Sequence, residues 1–239
     1  MRVAYLHGFA GDPAAWEATL AALPHHDARA IALPGHGGGP VPATWDESLA
    51  AIAGAIGEVD LVVGYSLGAR VALGLAATGR APRAILISVN PGIDDAERAA
   101  RRASDAAWAR LLRERGIAAF ADAWEAQPLF ATQARTPPER LAARRARRRA
   151  LDPEPLARSL EVMGLAEMPD YRGAVAGARI SLIAGADDPR YVAIARRLLA
   201  PLAPLAPLGL IAGSGHDPTL EQPARLAGAL AALAGLAGR

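Results

Sequence analysis

The segment Leu61-Val62-Val63-Gly64-Tyr65-Ser66-Leu67-Gly68-Ala69-Arg70-Val71-Ala72-Leu73 changes character at its midpoint. An aliphatic run short enough for a buried strand ends at Gly64, and a helical pattern begins after Gly68. Between them stands G-x-S-x-G, the sequence of a strand-to-helix turn with no room for side chains beside the serine. Such a turn pushes Ser66 Oγ out above the sheet. It also sets a helix N-terminus behind the hydroxyl, where developing negative charge is favoured.

Outward from this turn, short aliphatic runs alternate with longer helical ones, the order that builds a parallel sheet covered on both faces. Strands are expected at 2–6, 29–33, 61–65, 84–88, 179–184 and 207–211. Asp12-Pro13 opens a helix carrying Trp16 and Leu20, Asp46 stands near the start of another toward Ile56, and 223–236 reads as a final helix. Residues 200–207 form a Pro/Leu-rich connector. From about 94 to 171 the strand signal stops. One amphipathic helix is expected around Trp108, Leu111 and Leu112, a second over 139–149 and a third over 155–163. An all-helical insertion between two strands is either a cap over the strand ends, where open α/β sheets bind ligands, or a second packing layer. The predicted architecture is an α/β-hydrolase fold, with 1–93 and 172–239 as core and 94–171 as helical cap.

Composition narrows the function. Of 239 residues 52% are hydrophobic and 21% charged, the balance of a globular chain, and no apolar run approaches the roughly 20 residues of a bilayer span. The N-terminus lacks the features of a secretory signal, so a cytoplasmic location is expected. With no cysteine there is no disulfide, no thiolate metal site and no cysteine nucleophile. All basic residues are arginine, yet the net charge is only +2. The run 144–149 reads as a solvated helix face, so no nucleic-acid partner is expected. Neither metal-ligand spacing nor a phosphate loop occurs, and no metal or cofactor is expected.

A serine hydroxyl is a poor nucleophile or base until a neighbour takes its proton. His216, in Gly213-Ser214-Gly215-His216, is the only histidine after the turn. The acid that orients it should lie between them at a strand end, where Asp187 and Asp188 follow Gly185-Ala186; proximity does not choose between the two. Developing negative charge needs backbone donors. The amide of Leu67 is one, and that of Phe9, in Leu6-His7-Gly8-Phe9-Ala10-Gly11, is the other. His7 and His36 are expected to shape loops.

At this point the chain resembles the 2-succinyl-6-hydroxy-2,4-cyclohexadiene-1-carboxylate synthase family of menaquinone biosynthesis. The resemblance rests on LHGFAGDPAAW at 6–16, LPGHG at 33–37, VGYSLGARVAL at 63–73 and SVNPGI at 88–93. It continues through RAARRASDAAWA at 98–109, WEAQPLF at 124–130 and SLEVMGLAEMPD at 159–170. The family pattern G-x-x-D-x-[KR]-[FY] falls on Gly185, Asp188, Arg190 and Tyr191, which makes Asp188 the acid. The resemblance also implies that Tyr65, Arg70, Arg101, Trp124 and Arg148 hold a polycarboxylate substrate, for which planar guanidinium forks are suited. It implies lyase chemistry: the triad removes an α-proton at the ring substituent, and pyruvate is expelled from the enolpyruvyl side chain. The same parts in another pocket would make a serine carboxylic-ester or C–C bond hydrolase, and a third class is a non-enzymatic binding protein. Two positions depart from the family pattern: Ala69, where a second glycine is frequent, and Asp217-Pro218, where asparagine commonly follows the histidine.

Overall fold

Successive side chains of a strand point to opposite faces, and here both faces are apolar. Val3, Tyr5, Leu61, Val63, Ile85 and Ile87 enter one core; Ala4, Leu6, Val62, Ala84 and Leu86 enter another on the opposite side of the sheet. The computed structural model describes residues 1–37, 40–177, 179–199 and 208–236. Six parallel strands stand in the order β2-β1-β3-β4-β5-β6: β1 Arg2–Leu6, β2 Asp27–Ile31, β3 Leu61–Tyr65, β4 Ala84–Ile87, β5 Ile180–Gly185 and β6 Leu208–Ile211.

One core is covered by α2 (Trp45–Ile56), α3 (Leu67–Ala77) and α7 (Pro189–Leu199), which contribute Leu49, Leu73 and Ala195 among others. The other is covered by Trp16, in a 3₁₀ turn preceding α1 (Glu17–Ala21), and by Leu226 and Leu230 of the last long helix, Pro223–Ala234.

Between β4 and β5 the chain is helical, as expected, but the first helix is much longer than its Trp108 segment suggested. α4 covers Asp95–Glu125 and is interrupted at Gly116, whose φ of 74° and ψ of 178° are not helical. α5 (Pro138–Arg149) and α6 (Pro153–Met163) follow, each opened by a proline in its first turn. Leu112, Phe120, Leu156 and Leu160 form a third core, against which Phe9 from the loop after β1 also packs. The four-residue α8 (Pro218–Glu221) precedes the last helix, α9 (Pro223–Ala234).

The second strand begins and ends two residues before the expected 29–33. Its register is set by β1, pairing Arg2 with Asp27 and Leu6 with Ile31, and the Leu33 N–H is taken by His7 Nε2 instead of a ladder partner. Ser88, expected at the end of β4, leaves the strand with φ 52°. The connector 200–207, including the first residue of the expected strand 207–211, lies outside the described residues. Among the described residues no helix is long and apolar enough to cross a membrane.

Candidate active site

In sheet order, β1 lies between β2 and β3, so the loops leaving β1 and β3 run to opposite sides of the sheet. A crevice opens at that switch point, beyond the carboxyl ends of the strands. Ser66 stands there, between β3 and α3, with φ 51° and ψ −107°, a strained conformation for a residue with a side chain. The turn closes because its glycines have no Cβ: one at Gly64 would overlap the Gly68 carbonyl, and one at Gly68 would overlap the Leu6 carbonyl.

His216 Nε2 lies 3.1 Å from Ser66 Oγ, and His216 Nδ1 lies 3.1 Å from Asp188 Oδ2. The other oxygen of Asp188 accepts the Tyr191 N–H at 3.1 Å. Asp187 points elsewhere and pairs with Arg135 at 2.6 Å. The structure therefore brings Ser66, His216 and Asp188 into one hydrogen-bonded line and leaves Asp187 out of it.

The loop bearing His216 is held from several sides. Ser88 Oγ donates to the His216 carbonyl at 2.9 Å, and the N–H groups of Gly215 and Asp217 donate to the two oxygens of Glu221. Burial raises the Glu221 carboxyl above its usual range, while these backbone donors oppose the rise. Asp217 forms a buried ion pair with Arg144 of α5 at 2.9 Å, and accepts from Thr219 and the Leu220 N–H. Arg144 is thus not on a solvated helix face: at 6% exposure it ties the helical block to the histidine loop. Removing one partner of such a pair leaves an uncompensated buried charge. Asp217→Ala should cost about 3–5 kcal/mol of stability. The double change Arg144→Met with Asp217→Asn should recover most of it, measured by urea unfolding.

The N–H groups of Phe9 and Leu67 have no acceptor among the described residues, and both residues line the cavity beside Ser66. Two buried histidines shape the Phe9 loop. His7 Nε2 accepts from Leu33 N–H at 3.1 Å while Nδ1 lies 2.8 Å from the Gly8 carbonyl; His36 Nε2 accepts from Ala10 N–H at 3.0 Å while Nδ1 lies 3.0 Å from the Pro34 carbonyl. Each ring nitrogen thus has a fixed role in the neutral ring, donor at Nδ1 and acceptor at Nε2. Burial depresses His7 to about 4 and His36 to about 3.

Above the serine lies a cavity of about 410 Å³. Tyr65, Arg70, Arg101 and Trp124 line it, as do Phe9, Leu67 and His216. Trp124 belongs to an aromatic wall, with its ring centroid 5.3 Å from Phe120 and 5.1 Å from both Phe9 and Trp108. Arg70 donates to the Met163 carbonyl at 2.9 Å, and burial, followed by the nearby Arg101 charge, lowers its pKa to about 10. Arg101 is paired with Asp105 at 2.9 Å.

Arg148 is not part of the cavity lining. It is buried behind the Phe9 loop, donating to the Ala10 carbonyl at 3.2 Å and pairing with Glu125 at 2.7 Å. Sequence reasoning gave no pocket role to Asn90, Arg190 or Tyr191, all of which line it. Arg190 and Tyr191 were visible only as members of the pattern that selected Asp188.

A parallel sheet covered on both faces, a serine on a strained strand-to-helix turn and a histidine–aspartate pair facing it define an enzyme of the α/β-hydrolase class. Residues 3–229 match the model of the Alpha/beta hydrolase family. A 2-succinyl-6-hydroxy-2,4-cyclohexadiene-1-carboxylate synthase of Klebsiella pneumoniae is 34% identical over 239 aligned residues, covering 95% of this chain and 91% of the relative. The chain belongs to the 2-succinyl-6-hydroxy-2,4-cyclohexadiene-1-carboxylate synthase family of α/β hydrolases. The solved structure of MenH from S. aureus superposes with a TM-score of 0.90 at 27% identity, covering 99% of this chain and 94% of that one. A thermophilic esterase of Thermogutta terrifontis, at 23% identity, shares the fold, with a TM-score of 0.81 over 99% of this chain and 90% of its own.

Proposed function

We propose that this chain is a cytoplasmic lyase of menaquinone biosynthesis. It eliminates pyruvate from 2-succinyl-5-enolpyruvyl-6-hydroxy-3-cyclohexene-1-carboxylate to give 2-succinyl-6-hydroxy-2,4-cyclohexadiene-1-carboxylate. Residues 94–171 act as a cap over a core of 1–93 and 172–239. The observation that carries the reading is the pairing of a serine–histidine–aspartate line with two guanidiniums, Arg70 and Arg101, in one cavity.

The reaction is a 1,4-elimination. Ser66, its proton drawn off by His216, takes the proton from ring C2, next to the succinyl ketone. The C2–H electron pair forms C2=C3, the C3=C4 pair moves to C4=C5, and the C5–O pair leaves with the enolpyruvyl oxygen. Negative charge builds on the ketone oxygen as C2 loses its proton. Phe9 and Leu67 supply the N–H donors that stabilise it. Asp188 keeps His216 in the tautomer that accepts at Nε2 and steadies the imidazolium when it forms. Tyr65 and Trp124 shape the pocket wall, Arg70 and Arg101 bind carboxylates, and Arg148 acts on substrate through the loop that it braces. No cofactor takes part.

Pyruvate release from the enolpyruvyl substrate, followed with lactate dehydrogenase, tests the reaction; wild-type protein that releases none overturns it. Arg70→Ala and Arg101→Ala should each lower kcat/KM for this trianion by about 1.5–3 kcal/mol, the scale of a charge-assisted hydrogen bond. Hydrolysis of a small neutral ester should scarcely change. Equal losses on both substrates would favour the ester-hydrolase reading.

A further inference from the structure

Arg190 lines two cavities at once: the one above Ser66 and a second, of about 510 Å³, whose walls include Pro91, Ile93, Arg172 and Arg197. Asn90 is likewise shared. The two cavities therefore share a wall at the start of α7, two residues after Asp188. The guanidiniums of the first cavity differ in what they already hold. Arg70 donates to a backbone carbonyl and Arg101 to Asp105, whereas Arg190 has no hydrogen-bond or ion-pair partner among the described residues. Arg190 is followed directly by the half-buried Tyr191, whose ring centroid is 4.4 Å from that of His216. Arg190 thus stands on the histidine–aspartate side of the cavity, with its donors free.

The proposed substrate carries three carboxylates, of which two stay on the ring product and one leaves with the three-carbon fragment. On the elimination reading, on which this inference rests, Arg70 and Arg101 match the two that stay. We propose that Arg190 binds the carboxylate of the leaving fragment. The C5–O electron pair leaves as an enolate, so the fragment is briefly a dianion. A fixed cation stabilises it as the bond breaks, without donating a proton. The C2 proton restores the Ser66 hydroxyl, and the proton that His216 drew from Ser66 converts the enolate to pyruvate.

Pyruvate itself and the ring product are the probes, each used as an inhibitor of the full-length enzyme. With Arg190→Met the pyruvate inhibition constant should rise about tenfold or more, equivalent to about 1.4 kcal/mol. Arg190→Lys should recover part of that loss, and the inhibition constant of the ring product should stay within about twofold of wild type. Thermal unfolding checks that the exposed substitution leaves the fold intact. An unchanged pyruvate constant in Arg190→Met, or equal weakening of both inhibitors, overturns the subsite while the elimination stands. Wild-type enzyme that forms no pyruvate overturns both.

Discussion

Ser66→Ala, His216→Ala and Asp188→Asn are each expected to lower kcat by a factor of about 10⁴, the loss typical of a triad member, with KM little changed. Asp187→Asn should leave the rate within a few-fold of wild type, because Asp187 pairs with Arg135 on the surface while Asp188 meets His216 Nδ1. The reverse pattern, damage at Asp187 and tolerance at Asp188, would refute the assignment of the acid. Steady-state pyruvate release measures these effects but does not say how Ser66 acts. Intact-protein mass spectrometry of quenched turnover addresses that point. A proton-relaying Ser66 accumulates no covalent adduct, whereas a nucleophilic one acting on an ester does.

A second large effect is expected in acid. His7 and His36 are held neutral in the fold, at about 4 and about 3, whereas an exposed imidazole titrates near 6.5. Between those values the unfolded chain binds protons that the native chain does not, so stability rises with pH across this window. The contribution is complete above about 6.5 and is lost as pH falls toward 4, by about 3 kcal/mol for each ring. Against a total stability of roughly 5–15 kcal/mol, the loss from both rings is a large fraction of the whole. Urea midpoints at pH 7, 5.5 and 4.5 measure it. His36→Gln keeps an acceptor for the Ala10 N–H without the titration, and should flatten the slope by about half. An unchanged slope would mean that His36 carries none of the acid sensitivity.

Local signals were enough for the sheet and the reactive serine. Strand and helix leave different periods in the chain, and the glycines at 64 and 68 record a turn whose closeness excludes a Cβ. His216 was legible by elimination, since no other histidine follows the turn. Spacing could not separate Asp187 from Asp188, because adjacent residues at the start of a helix project in different directions. The family pattern named Asp188, and the fold shows the basis of the difference: one carboxylate faces His216 and the other faces Arg135. The arginines divided in the same way. Every guanidinium has the same formal charge in the sequence, and what it does depends on which partners the fold places beside it. Arg144 belongs to a buried pair with Asp217, across 73 residues of chain. Arg148, expected against substrate, braces the Ala10 carbonyl instead, while Arg190 opens onto two cavities. Sequence alone determined which chemistry the chain can carry, because that depends on residue type and local turn geometry. Only the tertiary structure decided which charges are committed to the scaffold and which face the cavity, because ion pairing and burial are set by residues far apart in the chain.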